Sequence, residues 1–193
     1  MVATAPTALM TVEEFTQWMD QPEQAGRRCE LVNGVIVDMP NPTRFHGTVC
    51  GNIAFALGTY IRSIGSGSVS TNDSGLVVSR NPDTVRGPDV MLFLEEEELD
   101  DIPRSPSTLI PPLVVEVLSP SDRPARTVRR VRSYLDCGVK VVWIVDPEDR
   151  MVTIYVPNEL PLALDVTEEI PQAVALPGLR VRVSDLFLLP KKS

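Results

Sequence analysis

The run Leu113-Val114-Val115-Glu116-Val117-Leu118 constrains this chain more than any other stretch. A strand with one wet face alternates apolar and polar residues; here apolar residues fall on both faces, so the strand is buried on both sides. An ionised carboxylate in such a place is costly unless it is paired or bound to a cation, so something must compensate Glu116. A second acid, Asp89, follows Pro88, whose missing N–H suits the start of a strand. Two carboxylates on neighbouring strand ends raise each other's pKa when bare and attract a hard divalent cation. Plainer readings stand beside this one: a turn residue for Asp89, and a buried ion pair with an arginine for Glu116.

Other local signals are legible along the chain. Thr11-Val12-Glu13-Glu14 has the form of a capping box and opens a helix to about Asp20. Residues 28–32 and 35–39 are β-rich and meet at Asn33-Gly34, the favoured two-residue hairpin turn. Val49, Ile53, Leu57, Tyr60, Ile61 and Ile64 recur at helical spacing, predicting a helix over 45–64. Strands are expected over 69–79 and 89–94, separated by the turn-rich Asn81-Pro82-Asp83. The acidic run 95–101 reads as a solvated loop. A helix over 126–137 should turn Val128, Val131 and Leu135 inward and close at Gly138. Strands over 139–145 and 151–156 follow, and Trp143 and Tyr134 are assigned to packing. With no repeat, linker or composition break, residues 1–193 read as one domain.

Charge narrows the function classes. A formal net charge of −8 excludes a surface built throughout to grip phosphates, although a local basic patch stays open. At 5% aromatic residues, a stacking platform for single-stranded bases is disfavoured. Arg126, Arg129, Arg130 and Arg132 make the one local basic cluster, either a nucleic-acid contact or a solvated face. Cys29, Cys50 and Cys137 form no CxxC, and His46 is the single histidine, so a closed structural zinc site lacks ligands and a reducing compartment is expected. The first ten residues hold no Lys or Arg and are broken by Pro6, which fits no secretory signal. Apolar runs fall far short of the roughly 20 residues that span a bilayer, so the expectation is a cytoplasmic chain without a membrane partner.

Several stretches occur in a telling order: Glu30-Leu31-Val32-Asn33-Gly34, Asn41-Pro42-Thr43-Arg44-Phe45-His46, Arg86-Gly87-Pro88-Asp89-Val90, Val114-Val115-Glu116-Val117-Leu118-Ser119-Pro120-Ser121-Asp122, Tyr134 with Gly138-Val139, and Val142-Trp143-Ile144-Val145-Asp146-Pro147. The ordered set resembles the Uma family of restriction endonucleases, a branch of the PD-(D/E)XK phosphodiesterase superfamily, over about 11–187. The resemblance implies an α/β fold with a restriction-endonuclease-like core, a central mixed twisted sheet flanked by helices, with an N-terminal helix and β-hairpin.

It also implies a site. Pro88-Asp89 matches the superfamily's first acidic motif and Glu116 the acid of the second. Both would bind Mg2+ or Mn2+ together with the backbone carbonyl of Val117. Glu30 matches an acid at the start of the hairpin, and His46 a histidine at the start of the next helix; taken alone, a cross-strand pair would explain Glu30 and a cap His46. The implied activity is metal-dependent hydrolysis of DNA phosphodiester bonds, and cutting both strands favours a homodimer. The superfamily lysine is missing, because its usual position is Leu118 and the position on the following helix holds Arg130. Arginine stays protonated but still stabilises a phosphate, so the alternative is a catalytically impaired module that binds nucleic acid or a protein partner.

Overall fold

The computed structural model describes residues 9–173 and 175–190. Most of the stretch read against a secretory signal, residues 1–8, lies outside the described residues. Helix α1 (Val12–Met19) carries both arms of the capping box: Glu14 N–H donates to the Thr11 hydroxyl, and Thr11 N–H donates to the Glu14 carboxylate at 2.8 Å. Strands β1 (Cys29–Val32) and β2 (Val35–Asp38) form the hairpin. Its turn residues Asn33 and Gly34 both take positive φ, 51° and 74°, as the tight right-twisted turn requires. A Cβ on Gly34 would also stand 2.5 Å from Leu9 Cβ. Helix α2 (Arg44–Ile64) starts where the Thr43 side chain accepts the His46 N–H and ends at Gly65.

Residues 69–79, expected as one strand, are two: β3 (Ser68–Thr71) and β4 (Leu76–Ser79). Between them Asn72 and Asp73 adopt positive φ, which short polar side chains tolerate, and the chain passes from one sheet to the other. Strand β5 (Thr84–Arg86) was hidden by the turn signals of Asn81-Pro82-Asp83, and it builds a second sheet with the hairpin. Strand β6 (Val90–Phe93) begins one residue after Asp89. Within the acidic run, Leu99–Asp101 forms a short 3-10 turn.

Strand β7 (Leu113–Val117) is buried at every position. Helix α3 (Pro124–Cys137) follows, starting earlier than expected because proline suits the first helical turn. Then come β8 (Val141–Asp146), β9 (Met151–Tyr155) and β10 (Leu162–Leu164). The large sheet runs β10-β9-β8-β7-β6-β3, mixed because β7 and β8 pair in parallel while its other neighbours are antiparallel. The small antiparallel sheet runs β2-β1-β5-β4.

Alternation along β7 divides the core. Val115 and Val117 join Val49, Ile53 and Leu57 of α2 on one face, with Trp143 and Val145. Val114 joins Val131 and Tyr134 of α3 on the other, with Val142 and Ile144. Val128, expected inside, is 57% exposed: α3 is rotated so that Tyr134 and Arg130 turn inward toward Glu116, and this carries Val128 out. Strand β4 links the layers, with Val77 packing on Val12 and Phe15 of α1 while Leu76 and Val78 join the α3 side. No described helix is long and apolar enough to cross a membrane.

Candidate active site

The end of β7 organises the site. Because successive residues point to opposite faces, Glu116 projects toward α3 while Val117 packs toward α2. Strand β6 pairs with β7 in the register Val90↔Val115, so one step further Asp89 stands opposite Glu116. In the small sheet, Leu31↔Val85 sets Glu30 opposite Arg86. Glu30, His46, Asp89, Glu116, Val117 and Arg130 all line one cleft of about 600 Å³.

Two of the acids share an arginine. Arg130 donates through Nη1 to Glu116 at 2.9 Å and through Nη2 to Glu30 at 3.0 Å. Glu30, 3% exposed, also accepts from Arg86 at 2.8 Å and from the Gly87 N–H at 3.0 Å. The cross-strand pair expected for Glu30 is thus present, with Arg86, but it is half of a larger network. Gly87 has no room for a side chain, since a Cβ would lie 2.9 Å from Asp73. Tyr134, four residues after Arg130 and on the same helix face, donates its hydroxyl to Glu116 Oε1. Burial raises Glu116 to about 7, outweighing the neighbouring Arg130 charge, while Asp89 and Glu30 add to the rise. Burial opposes the charge on Arg130, but Glu116, Tyr134 and Glu30 more than offset it and keep the guanidinium protonated. Burial followed by Glu116 holds the Tyr134 phenol well above its usual range, so it is a hydrogen-bond donor throughout.

Asp89 is held by other partners. Its Oδ2 accepts the Val117 N–H at 2.7 Å, and its Oδ1 lies 3.3 Å from His46 Nε2. The same Nε2 lies 3.0 Å from the Val117 carbonyl oxygen, and Nδ1 lies 3.5 Å from Cys50 Sγ. The hydrogen bond to Asp89 foremost, then that to Cys50, raises His46 to about 10 against partial burial. Burial raises the Cys50 thiol too, with His46 opposing.

Glu116 is therefore ion-paired, as the plainer sequence reading has it, and it also lines the cleft with Asp89. Four residues of the network were not read as part of it from the sequence. Tyr134 packs in the core as expected, and its hydroxyl in addition serves Glu116, a role for which its spacing from Arg130 was the available signal. Arg86 and Gly87 lie in the same stretch as Asp89 but serve Glu30. Cys50 carried a signal only in its four-residue spacing from His46.

The donor set suits a hard cation. Asp89 Oδ1 and the Val117 carbonyl aim at one point, taken by the positively charged edge of His46. Glu116 keeps lone pairs beyond those facing Tyr134 and Arg130 and lacks full charge compensation. Such oxygen ligands are what Mg2+ or Mn2+ take.

A mixed sheet between helices, with acids gathered at one strand end, defines a nuclease-like fold. Its likeness to the crystal structure of "a putative nuclease belonging to DUF820" from Anabaena variabilis has a TM-score of 0.75 at 19% identity, over 92% of this chain and 97% of that one. The family model Uma2, described as "Putative restriction endonuclease", matches residues 12–184, and the chain belongs to that family. No curated protein matches the sequence.

Proposed function

We propose that the chain is a metal-dependent endonuclease that hydrolyses DNA phosphodiester bonds, acting as one domain with its site in the cleft at the end of β7. The observation that carries this reading is the convergence of Glu30, His46, Asp89, Glu116, Val117 and Arg130, supplied by five separate stretches of sequence, on one cleft. Asp89, Glu116 and the Val117 carbonyl would hold Mg2+ or Mn2+. Bound there, such an ion makes a potent nucleophile of water near neutral pH and takes up charge on the phosphate.

The chain's own groups do the rest. Asp89 is fixed by the Val117 N–H, which keeps its other oxygen toward the cleft. His46, protonated beside Asp89, offers a donor edge to a scissile phosphate or its attacking water. Arg130 supplies a fixed positive charge for the transition state, and Glu30 holds it in place. On α3, Arg129 and Arg132 are exposed, and Arg126, one turn before Arg130 on the same face, is exposed at the cleft rim, so this helix supports contact with the DNA backbone. With the rest of an acidic surface repelling DNA, binding should be weak and fall steeply with salt.

The test is nicking of supercoiled plasmid DNA with Mg2+ or Mn2+ by wild-type protein and Asp89→Asn. Metal-dependent nicking lost in the variant is the expected result. Equal nicking by both would overturn the assignment of Asp89. A second reading is favoured by Arg130, which cannot lose a proton and is tied to both Glu116 and Glu30. In that reading the chain binds nucleic acid or a protein partner without cutting. Arg130→Lys separates the two: a gain in cleavage indicates chemistry limited at this position, whereas no cleavage by either protein favours the binding module.

A further inference from the structure

The mechanism proposed above leaves one side chain unused beside the site. Cys50 lies one helical turn after His46, so both project from the same face of α2. Asp89 meets them from across the fold, and one ligand atom from each of the three lies within 4.8 Å of the others. His46 turns Nδ1 to Cys50 Sγ at 3.5 Å and Nε2 to Asp89 Oδ1 at 3.3 Å; one ion takes only one of these nitrogens, and the 4.8 Å limit holds for that single choice. Ligand atoms around a tetrahedral ion with bonds of about 2.0–2.3 Å stand about 3–4 Å apart, so the three groups close on an ion with side-chain shifts of about 1 Å. Each group sits on a rigid element: two on a helix of 21 residues, and Asp89 pinned by the Val117 N–H. The cleft borders both His46 and Asp89, giving an ion a way in and room for a water ligand.

We propose that His46, Cys50 and Asp89 form a binding site for a thiophilic divalent ion of the zinc class, with a water in the fourth position. A nitrogen, a sulfur and an oxygen suit zinc or cobalt and do not suit magnesium, which keeps to oxygen ligands. As the metal–sulfur and metal–nitrogen bonds form, the thiol proton and the imidazolium proton leave to water. The resulting thiolate and carboxylate then balance a divalent charge. Neither other cysteine has this company: Cys29 meets Asp38, and Cys137 meets the Tyr134 carbonyl. The new site shares Asp89 with the hard-ion site, so the two ions exclude each other. If the endonuclease reading holds, a thiophilic ion shuts the enzyme off.

The test of binding uses Co2+ alone, with no activity measurement. Wild-type protein should develop thiolate-to-cobalt charge-transfer absorption at one equivalent, the Cys29→Ala/Cys137→Ala variant should keep it, and Cys50→Ser should lose it, binding at least about tenfold more weakly. No such band in folded wild-type protein, or one that survives Cys50→Ser, overturns the site. Should Cys50→Ser fail to fold, mass spectrometry of alkylated wild-type protein decides: Zn2+ is expected to slow alkylation of Cys50 but not of Cys137, and equal effects on both refute the proposal. Separately, Zn2+ should inhibit Mg2+-dependent nicking by wild-type protein more strongly than nicking by Cys50→Ser, each measured against its own rate in Mg2+ alone. A protein that binds Co2+ through Cys50 and never nicks DNA would leave this site standing while the endonuclease reading falls.

Discussion

Glu116 and Asp83 are both buried acids, 6% and 9% exposed, and their surroundings drive them in opposite directions. Asp83 accepts two backbone donors, the Val12 N–H at 2.8 Å and the Asn81 N–H at 3.1 Å, and Arg80 at 3.0 Å. The Val12 donor first, with Asn81 and Arg80 adding to it, lowers its pKa against the desolvation that burial brings. Glu116 meets no backbone donor among the described residues; its partners are side chains of α3, and burial raises it to about 7. Backbone amides cannot leave, so Asp83 is committed to pinning α1 onto the small sheet. Side chains can shift, so on the reading proposed above Glu116 turns from them to a cation.

The sharpest way to break the contrast is to amidate each acid. Glu116→Gln should lower metal-dependent nicking about a thousandfold, whereas Asp83→Asn should leave it unchanged at equal folded concentration. A comparable loss in Asp83→Asn would erase the distinction.

Titration comes next, followed by urea unfolding in metal-free buffer. Glu116 is raised above its unfolded value of 4.5, so its contribution is fully present below pH 4.5 and is lost as pH rises through about 7, on the order of 3 kcal/mol. Relative to Glu116→Gln, wild-type stability should therefore fall over that window. Asp83, lowered from 3.8, has the reverse signature: its contribution is present above pH 3.8 and is lost below it. A Glu116 contribution that grew with pH would refute the raised assignment.

At neutral pH, Asp83→Asn should cost about 1–2 kcal/mol by loosening the start of α1. Glu116→Gln should cost nothing or stabilise, since it removes a carboxylate that burial disfavours and Arg130 keeps Glu30 as a partner. The smallest loss expected is for Tyr134→Phe, about 1 kcal/mol or less, because it removes one donor and leaves the ring packed. If Tyr134→Phe proved costlier than Asp83→Asn, the hydroxyl rather than the backbone donors would be the stronger anchor.

Legibility followed the range of the interactions. The capping box, the Asn33-Gly34 turn and the α2 stripe are written within a few residues, and they read correctly. The strand β7 was equally plain, because burial on both faces needs no partner to recognise it. What failed was anything set by a neighbour distant in sequence. The break between β3 and β4 depends on which sheet each edge joins, and the rotation of α3 depends on Glu116 drawing in Arg130 and Tyr134. The individual acids were found through their ordered motifs, but the network that holds them, with Arg86 and Gly87 on Glu30, is tertiary and left no local pattern.

Arg130 also has a meaning for the life history of the chain. Its bond to Glu30 closes a separation of 100 residues, and with its bond to Glu116 it ties a strand of the small sheet to one of the large through α3. Loops of that span close late, once nearer contacts have shortened the search. A nascent or partly unfolded chain therefore carries every acid of the cleft without their arrangement. The assembled cluster is in effect a completion mark: it exists only in molecules whose two sheets have both formed and met.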